Sequence, residues 1–242
     1  MHGEIFNLVA LEKPDLKKAL TDPLSYVSEI FESRDSGPVK AVGFKQFYNH
    51  LRMEYFRDND KLNETANELN DKITKITSTV IPDLDTKALF ERFDMTWKYL
   101  INDSSIKVIH LKRENKFETL VSLKTAFITD QWLTFRDQTS PKVSMDISRE
   151  ECLSFFEQID FYEQSYVEIF RNHGILTVEY KRLAEDSDLV MKEVFDFLDV
   201  PDFAVKANLK KQILHPMNEI VTNYYELKAY FLNTKWSHYF DL

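Results

Sequence analysis

Apolar residues recur at helical spacing over residues 24–34 (Leu24, Val27, Ile30, Phe31), and Ser36-Gly37-Pro38 ends the run. Residues 39–47 read as a strand, with Val42, Phe44 and Phe47 apolar and Lys45 among them. Residues 49–85 lose this rhythm. They are rich in Asn, Asp, Lys and Thr and read as an insertion carrying one helix over about 63–76. Asp85 or Thr86 then caps a helix reaching Asn102, with Leu89, Phe93, Trp97 and Leu100 on one side. Residues 106–111 (Ile-Lys-Val-Ile-His-Leu) are short, β-branched and mostly apolar, as in a buried strand. A polar turn, Lys112-Arg113-Glu114-Asn115, leads into a helix carrying Phe117, Leu120, Val121 and Ile128.

Residues 148–173 predict a long amphipathic helix whose inner face carries Phe155, Ile159, Tyr162, Tyr166 and Ile169. Gly174 follows as its expected C-terminal cap, and residues 175–180 form the next buried strand. A helix over 187–198 stops before Pro201. After a basic stretch at 206–212, Pro216 opens a last helix with Ile220, Tyr224 and Phe231 in register. Strands separated by helical segments of more than a dozen residues require crossover connections, hence an α/β fold with a parallel sheet. The pattern predicts a single domain over residues 1–242 with an insertion at about 49–85.

Composition narrows this picture. With 242 residues, 43% apolar and 14% aromatic, the chain can bury a core and is not a disordered segment. Its single cysteine, Cys152, excludes an internal disulfide framework and a cysteine-based zinc site, and makes a reducing, cytoplasmic compartment the simplest expectation. With Arg149 its one basic neighbour, Cys152 reads as a small buried residue rather than a nucleophile. The six histidines show no metal-ligand spacing, so no metal is expected. No apolar run approaches the ~18 residues of a transmembrane segment. The net charge of −9 argues against nucleic acid as a partner but leaves room for an anionic small ligand. The four glycines, Gly3, Gly37, Gly43 and Gly174, are scattered, whereas the dinucleotide fingerprint and the nucleotide phosphate loop both need them clustered.

Ligands of open α/β sheets bind beyond the carboxyl ends of strands, which directs attention to the turn after residues 106–111. Arg113 stands there, with Ser122 nine positions later on the following helix. An arginine can fork onto a phosphate and a serine can donate to the same anion. Taken alone, such a pair is more often a solvated charge and a surface hydroxyl.

Four blocks occur together: Gly3-Glu4-Ile5-Phe6; Val42-Gly43-Phe44-Lys45-Gln46-Phe47; His110-Leu111-Lys112-Arg113-Glu114-Asn115 with Val121-Ser122-Leu123-Lys124; and Val178-Glu179-Tyr180-Lys181-Arg182-Leu183. In this order they resemble the sulfotransferases that use 3′-phosphoadenosine 5′-phosphosulfate (PAPS), especially the bacterial branch that sulfates nodulation factors and glycolipids. The resemblance implies a three-layer parallel sheet of the nucleotide-kinase/sulfotransferase type. It also implies a PAPS donor, a carbohydrate or glycolipid acceptor and no metal. By the same resemblance Arg113 and Ser122 hold the donor's 3′-phosphate, a late basic loop at Lys210 and Lys211 completes that grip, and Glu4 is the general base on the acceptor hydroxyl. Lys45, on a neighbouring predicted strand, is placed to face the sulfuryl oxygens.

Family members carry an Arg-Ser/Thr-Gly-Ser/Thr loop for the 5′-phosphosulfate ahead of the Gly-Glu element. Here Gly3 follows Met1 by two residues, so the first βα unit with its loop is expected to be missing. The string Ser33-Arg34-Asp35-Ser36-Gly37-Pro38 follows a helix and precedes a strand, the wrong order for such a loop. A non-catalytic or truncated sulfotransferase-like binding module is therefore the alternative, and an unrelated nucleotide-binding or protein-interaction module a third. His110 reads as a core histidine and Tyr224-Tyr225 as a core pair.

Overall fold

A computed structural model of the chain describes residues 13–32, 41–45, 48, 81, 85–135, 137–139, 143–205 and 215–241. The helix expected at 63–76 lies outside them. Two compact units emerge, one of Met1–Val108 with Tyr166–Gly174, the other of Ile109–Ser165 with Ile175–Leu242.

Helices α1 (Lys13–Thr21), α2 (Pro23–Glu32) and α3 (Thr86–Asn102) belong to the first unit, where α2 packs against both others. Asp22 alone separates α1 from α2, and its carboxylate accepts the Ser25 N–H at 3.1 Å, satisfying a donor that the helix start would leave unpaired. Asp85 caps α3 in the same way, accepting from the N–H groups of Lys87 and Ala88 at 3.0 and 3.1 Å. The predicted stripe of Leu89, Phe93, Trp97 and Leu100 is buried. The Trp97 ring lies 5.4 Å from that of Tyr166 and 5.5 Å, edge-on, from that of Phe170. His173 Nε2 meets the Leu100 carbonyl at 3.1 Å. Helix α1 was not anticipated from the pattern, although Pro14 in its first turn and the Leu16–Leu20 spacing are signals for it. The strand expected at 39–47 is reduced, over its described residues 41–45, to one bridge residue at Lys45. Gly43 sits mid-run with open space where a Cβ would point, so that position has no side chain to pack.

The remaining elements are β1 (Val108–Lys112), α4 (Lys116–Thr129), α5 (Arg149–Ile169), β2 (Ile175–Glu179), α6 (Tyr180–Glu185), α7 (Ser187–Leu198), α8 (Met217–Ile220), α9 (Tyr224–Phe231) and a 3₁₀ turn, Ser237–Phe240. The described architecture is α/β, with β1 and β2 paired in parallel as a two-stranded sheet. A hydrogen bond of 2.9 Å from the Val108 N–H to the Gly174 carbonyl sets their register. Gly174 is thus not a helix cap. Helix α5 ends at Ile169, and no described glycine has a positive φ.

The single last helix expected after Pro216 is broken into α8 and α9. Val221 forms a parallel bridge with Met145, whose N–H reaches the Ile220 carbonyl at 2.8 Å and whose carbonyl takes the Thr222 N–H at 2.9 Å. The Asn223 side chain accepts the Ile147 N–H at 3.2 Å and donates to the Ile147 carbonyl at 2.8 Å. Backbone groups engaged with residues 145–147 are withdrawn from the helical ladder, so helical spacing alone could not reveal the break.

The core of the second unit gathers Phe117, Cys152, Phe156, Tyr224, Phe231 and Phe240, among others. Phe156 is fully buried, with ring centroids of Tyr239 at 5.0 Å and Phe231 at 5.7 Å. Cys152 is buried as expected, and desolvation pushes its thiol up to about 12. The tyrosine pair divides, Tyr224 buried and Tyr225 65% exposed.

Two helix ends are closed by aspartate in the left-handed region, Asp130 at φ 52° after α4 and Asp199 at φ 58° after α7. Glycine holds this conformation without a Cβ clash, and aspartate pays a penalty that glycine's greater freedom in the unfolded chain partly offsets. Asp199→Gly is therefore expected to stabilise the protein by about 0.5–1 kcal/mol in urea unfolding. A loss of stability would show that the aspartate side chain contributes more than its backbone strain costs.

Candidate functional site at the strand ends

Strands β1 and β2 run in the same direction, so their carboxyl ends lie side by side. Arg113 is the first residue beyond β1, and Tyr180 is the first beyond β2. The Arg113 guanidinium carbon sits 4.0 Å from the centroid of the Tyr180 ring. This contact joins the two strand exits, and a planar guanidinium over an aromatic face keeps its edge donors available. Among the described residues Arg113 forms no ion pair with a carboxylate. It is half-buried. Tyr180 was expected to end the strand. The strand stops at Glu179, and Tyr180 opens α6 instead, which brings its ring to Arg113.

The turn from β1 into α4 is held at both sides. Asn115 caps α4 by accepting the Glu118 N–H at 3.0 Å, while its amide donates to the Tyr239 carbonyl at 3.0 Å. Lys116, the first residue of α4, is buried, and its ammonium donates to Asp160 on α5. Glu163, one helical turn on, lies 3.4 Å from the Lys116 ammonium and 3.2 Å from that of Lys112 at the end of β1. Lys235 adds a third cation, 3.1 Å from Asp160. Burial alone would lower the Lys116 pKa, but the Asp160 hydrogen bond and the Glu163 charge raise it above the ordinary lysine value. For Asp160 burial acts upward, and the hydrogen bonds from Lys116 and Lys235 more than reverse it, leaving the carboxyl below its usual 3.8.

A carboxyl whose pKa is depressed by folding contributes stability above its unfolded value, and that contribution vanishes as pH falls through the folded value. Unfolding free energy is therefore expected to drop with acid below about pH 4, more steeply in the native sequence than in Asp160→Asn. At pH 7 that variant should lose about 3 kcal/mol, the low end for a broken buried pair, because the Asp160 side chain is 24% exposed. Urea titrations of both proteins at several pH values measure this. Parallel profiles would refute the role given to Asp160.

His110 lies within β1 and is buried; desolvation and then the Lys112 charge lower its pKa, with Glu163 opposing. Ser122 is half-buried on α4, about two turns from the helix start. Lys45 is exposed and belongs to the first unit. Glu4, Lys210 and Lys211 lie outside the described residues. The motif pattern missed Tyr180 as the platform for Arg113, and missed Asp160 and Glu163. The signal for the latter two was their one-turn spacing beside the apolar stripe of α5. Among the described residues no three His, Cys, Asp or Glu side chains gather in a way that could hold a metal ion. Nor is any described helix long and apolar enough to cross a membrane.

Comparison with known proteins finds Nodulation protein H of Rhizobium meliloti, 31% identical over 140 residues, which are 57% of this chain and 57% of that protein. Nodulation protein H of Rhizobium tropici is 29% identical over 139 residues, 57% of this chain and 55% of that protein. The chain spans a little over half the length of these curated relatives. No protein-family model matches the chain. No solved structure matches it.

Proposed function

We propose that this chain belongs to a sulfotransferase that moves a sulfuryl group from PAPS to a hydroxyl of a carbohydrate or glycolipid. The observation that carries the reading is the placement of Arg113, just beyond a parallel strand and seated on the residue just beyond its neighbour. Likeness to Nodulation protein H and the four motif blocks agree with it. In this reading the two-stranded sheet is part of a wider three-layer arrangement of the nucleotide-kinase/sulfotransferase type in a single domain. The protein works in the cytoplasm without a metal.

The residues present suit the donor. Arg113 offers a fork of N–H groups to the 3′-phosphate, Ser122 gives a second donor, and Lys210 and Lys211 complete the grip on the same group. In the reaction the bond between sulfur and the donor's phosphate oxygen breaks as the acceptor oxygen bonds to sulfur. Glu4 takes the acceptor proton, and Lys45 offsets charge on the sulfuryl oxygens. A positioned base of this kind contributes roughly 10²–10⁴ in rate.

The test is ligand-dependent thermal stability. 3′,5′-Adenosine bisphosphate should raise Tm well beyond the shift given by 5′-AMP at equal concentration, because stabilisation follows ligand affinity. Equal shifts would overturn the 3′-phosphate site. The alternative reading is a binding module without turnover. Selective bisphosphate binding with no sulfuryl transfer to any carbohydrate or glycolipid hydroxyl would support it.

A further inference from the structure

Three cations, Lys112, Arg113 and Lys116, occupy five consecutive positions around the β1–α4 turn. Left to themselves, all three would compete for any anion at the strand ends. The contacts divide them. Glu163 reaches both lysines, at 3.2 and 3.4 Å, and Asp160 takes a hydrogen bond from Lys116. Arg113, flanked by the two lysines, stacks on Tyr180 at 4.0 Å.

We infer that Glu163 is a positioning residue that ties Lys112 to Lys116 across the turn and so presents Arg113 as the anion-binding cation of this site. The nature of the anion, a 3′-phosphate, rests on the function proposed above; the positioning itself rests on the contacts. Three features support it. A carboxylate bridging the last residue of a strand and the first residue of the next helix fixes the segment between them. The Glu163 side chain is only 12% exposed and that of Lys116 only 6%, so solvent screens that leg of the bridge weakly, while the leg to Lys112, 35% exposed, is screened more. Lysines engaged by Asp160 and Glu163 are held back from binding phosphates indiscriminately, which leaves selection to the planar fork of Arg113.

Simple charge removal makes the opposite prediction, which renders the idea testable. Neutralising an acid near an anion site strengthens every anion, 3′,5′-adenosine bisphosphate and 5′-AMP alike. Loss of positioning instead reduces discrimination, because Arg113 moves while Lys112, freed from Glu163, takes any phosphate. Glu163→Gln is expected to lower the preference for 3′,5′-adenosine bisphosphate over 5′-AMP about tenfold, the low end of the loss when a partner that orients a metal-binding side chain is removed. Glu163→Asp, which keeps the charge on a shorter stem, should retain part of it. Where the native protein prefers the bisphosphate, equal tightening of both nucleotides, or an unchanged ratio, would overturn the inference.

A second readout needs no nucleotide. The Arg113 Nε–H resonance in a nitrogen-15 spectrum, assigned by its disappearance in Arg113→Lys, should be displaced by the Tyr180 ring current and lose that displacement in Glu163→Gln. An unmoved resonance would overturn the positioning role. A resonance that follows Glu163, in a protein that binds both nucleotides equally, would uphold the positioning role and reject the donor assignment.

Discussion

Arg113→Ala is expected to weaken 3′,5′-adenosine bisphosphate by roughly 10–100-fold, or ~1.5–3 kcal/mol, while changing 5′-AMP little. Hydrogen bonds to charged partners have this magnitude, and the forked geometry of arginine on phosphate lies toward its upper end. The asymmetry between the two nucleotides matters most, because only one carries the 3′-phosphate. Arg113→Lys keeps the charge but loses both the fork and the stacking on Tyr180, so it should recover only part of the preference. Isothermal titration of the native protein and both variants measures this. A uniform loss for both nucleotides would make Arg113 a general electrostatic contributor instead.

Phe156→Ala is expected to lower unfolding free energy by about 3–5 kcal/mol, the range for deleting a fully buried aromatic side chain. Its ring meets those of Tyr239, Phe231, Trp236 and Phe240 at 5.0, 5.7, 6.0 and 6.5 Å. Those partners are themselves interlocked: Phe231 stacks on Phe240 at 5.1 Å, and the Tyr224 hydroxyl donates to the Phe240 carbonyl at 2.7 Å. A cluster tied this way collapses poorly into a cavity, which places the expected value high in the range. Phe156→Leu, which fills more of the space, should cost about 1–1.5 kcal/mol. Urea unfolding of the variants decides it, and a loss below about 1 kcal/mol for the alanine change would show that the cluster repacks. The effect extends to the site, since the Tyr239 carbonyl accepts from Asn115, the cap of α4.

Local signals foretold the bounds of β1, α4 and α7 to within about two residues, but not α6, nor that β1, expected to be buried, leaves Ile109 and Leu111 39% and 47% exposed. The helix predicted over 187–198 is α7 itself, capped by Asp186, whose carboxylate accepts the Leu189 N–H at 3.2 Å. The start of α3 at Asp85 and the run from β1 through Asn115 into α4 follow the same rule of side-chain caps and periodic apolar residues. What failed was set by contacts distant in sequence. Nothing near Val221 announces that Met145 will draw it out of a helix. Residues 39–47 carry a strand pattern, yet among the described residues 41–45 Lys45 alone is bridged. Arg113 could be placed from the strand-end rule, but its platform depended on where β2 stops, a boundary that periodicity fixes only to within a residue or two. The acids of α5 escaped notice because an amphipathic pattern records which face is apolar, not which charges at its border will be buried with partners.

The lone thiol has a practical consequence. Cys152 is fully enclosed in the aromatic core, with its ionisation suppressed, so a disulfide reagent can reach it only when that core opens. Where reclosing is slower than chemistry, the labelling rate equals the opening rate; where it is faster, the rate reports the equilibrium population of the open form. A single-cysteine protein thus has a built-in clock for its second unit, read without an engineered probe. Its slowing on addition of a nucleotide would register ligand binding through the core beneath the site.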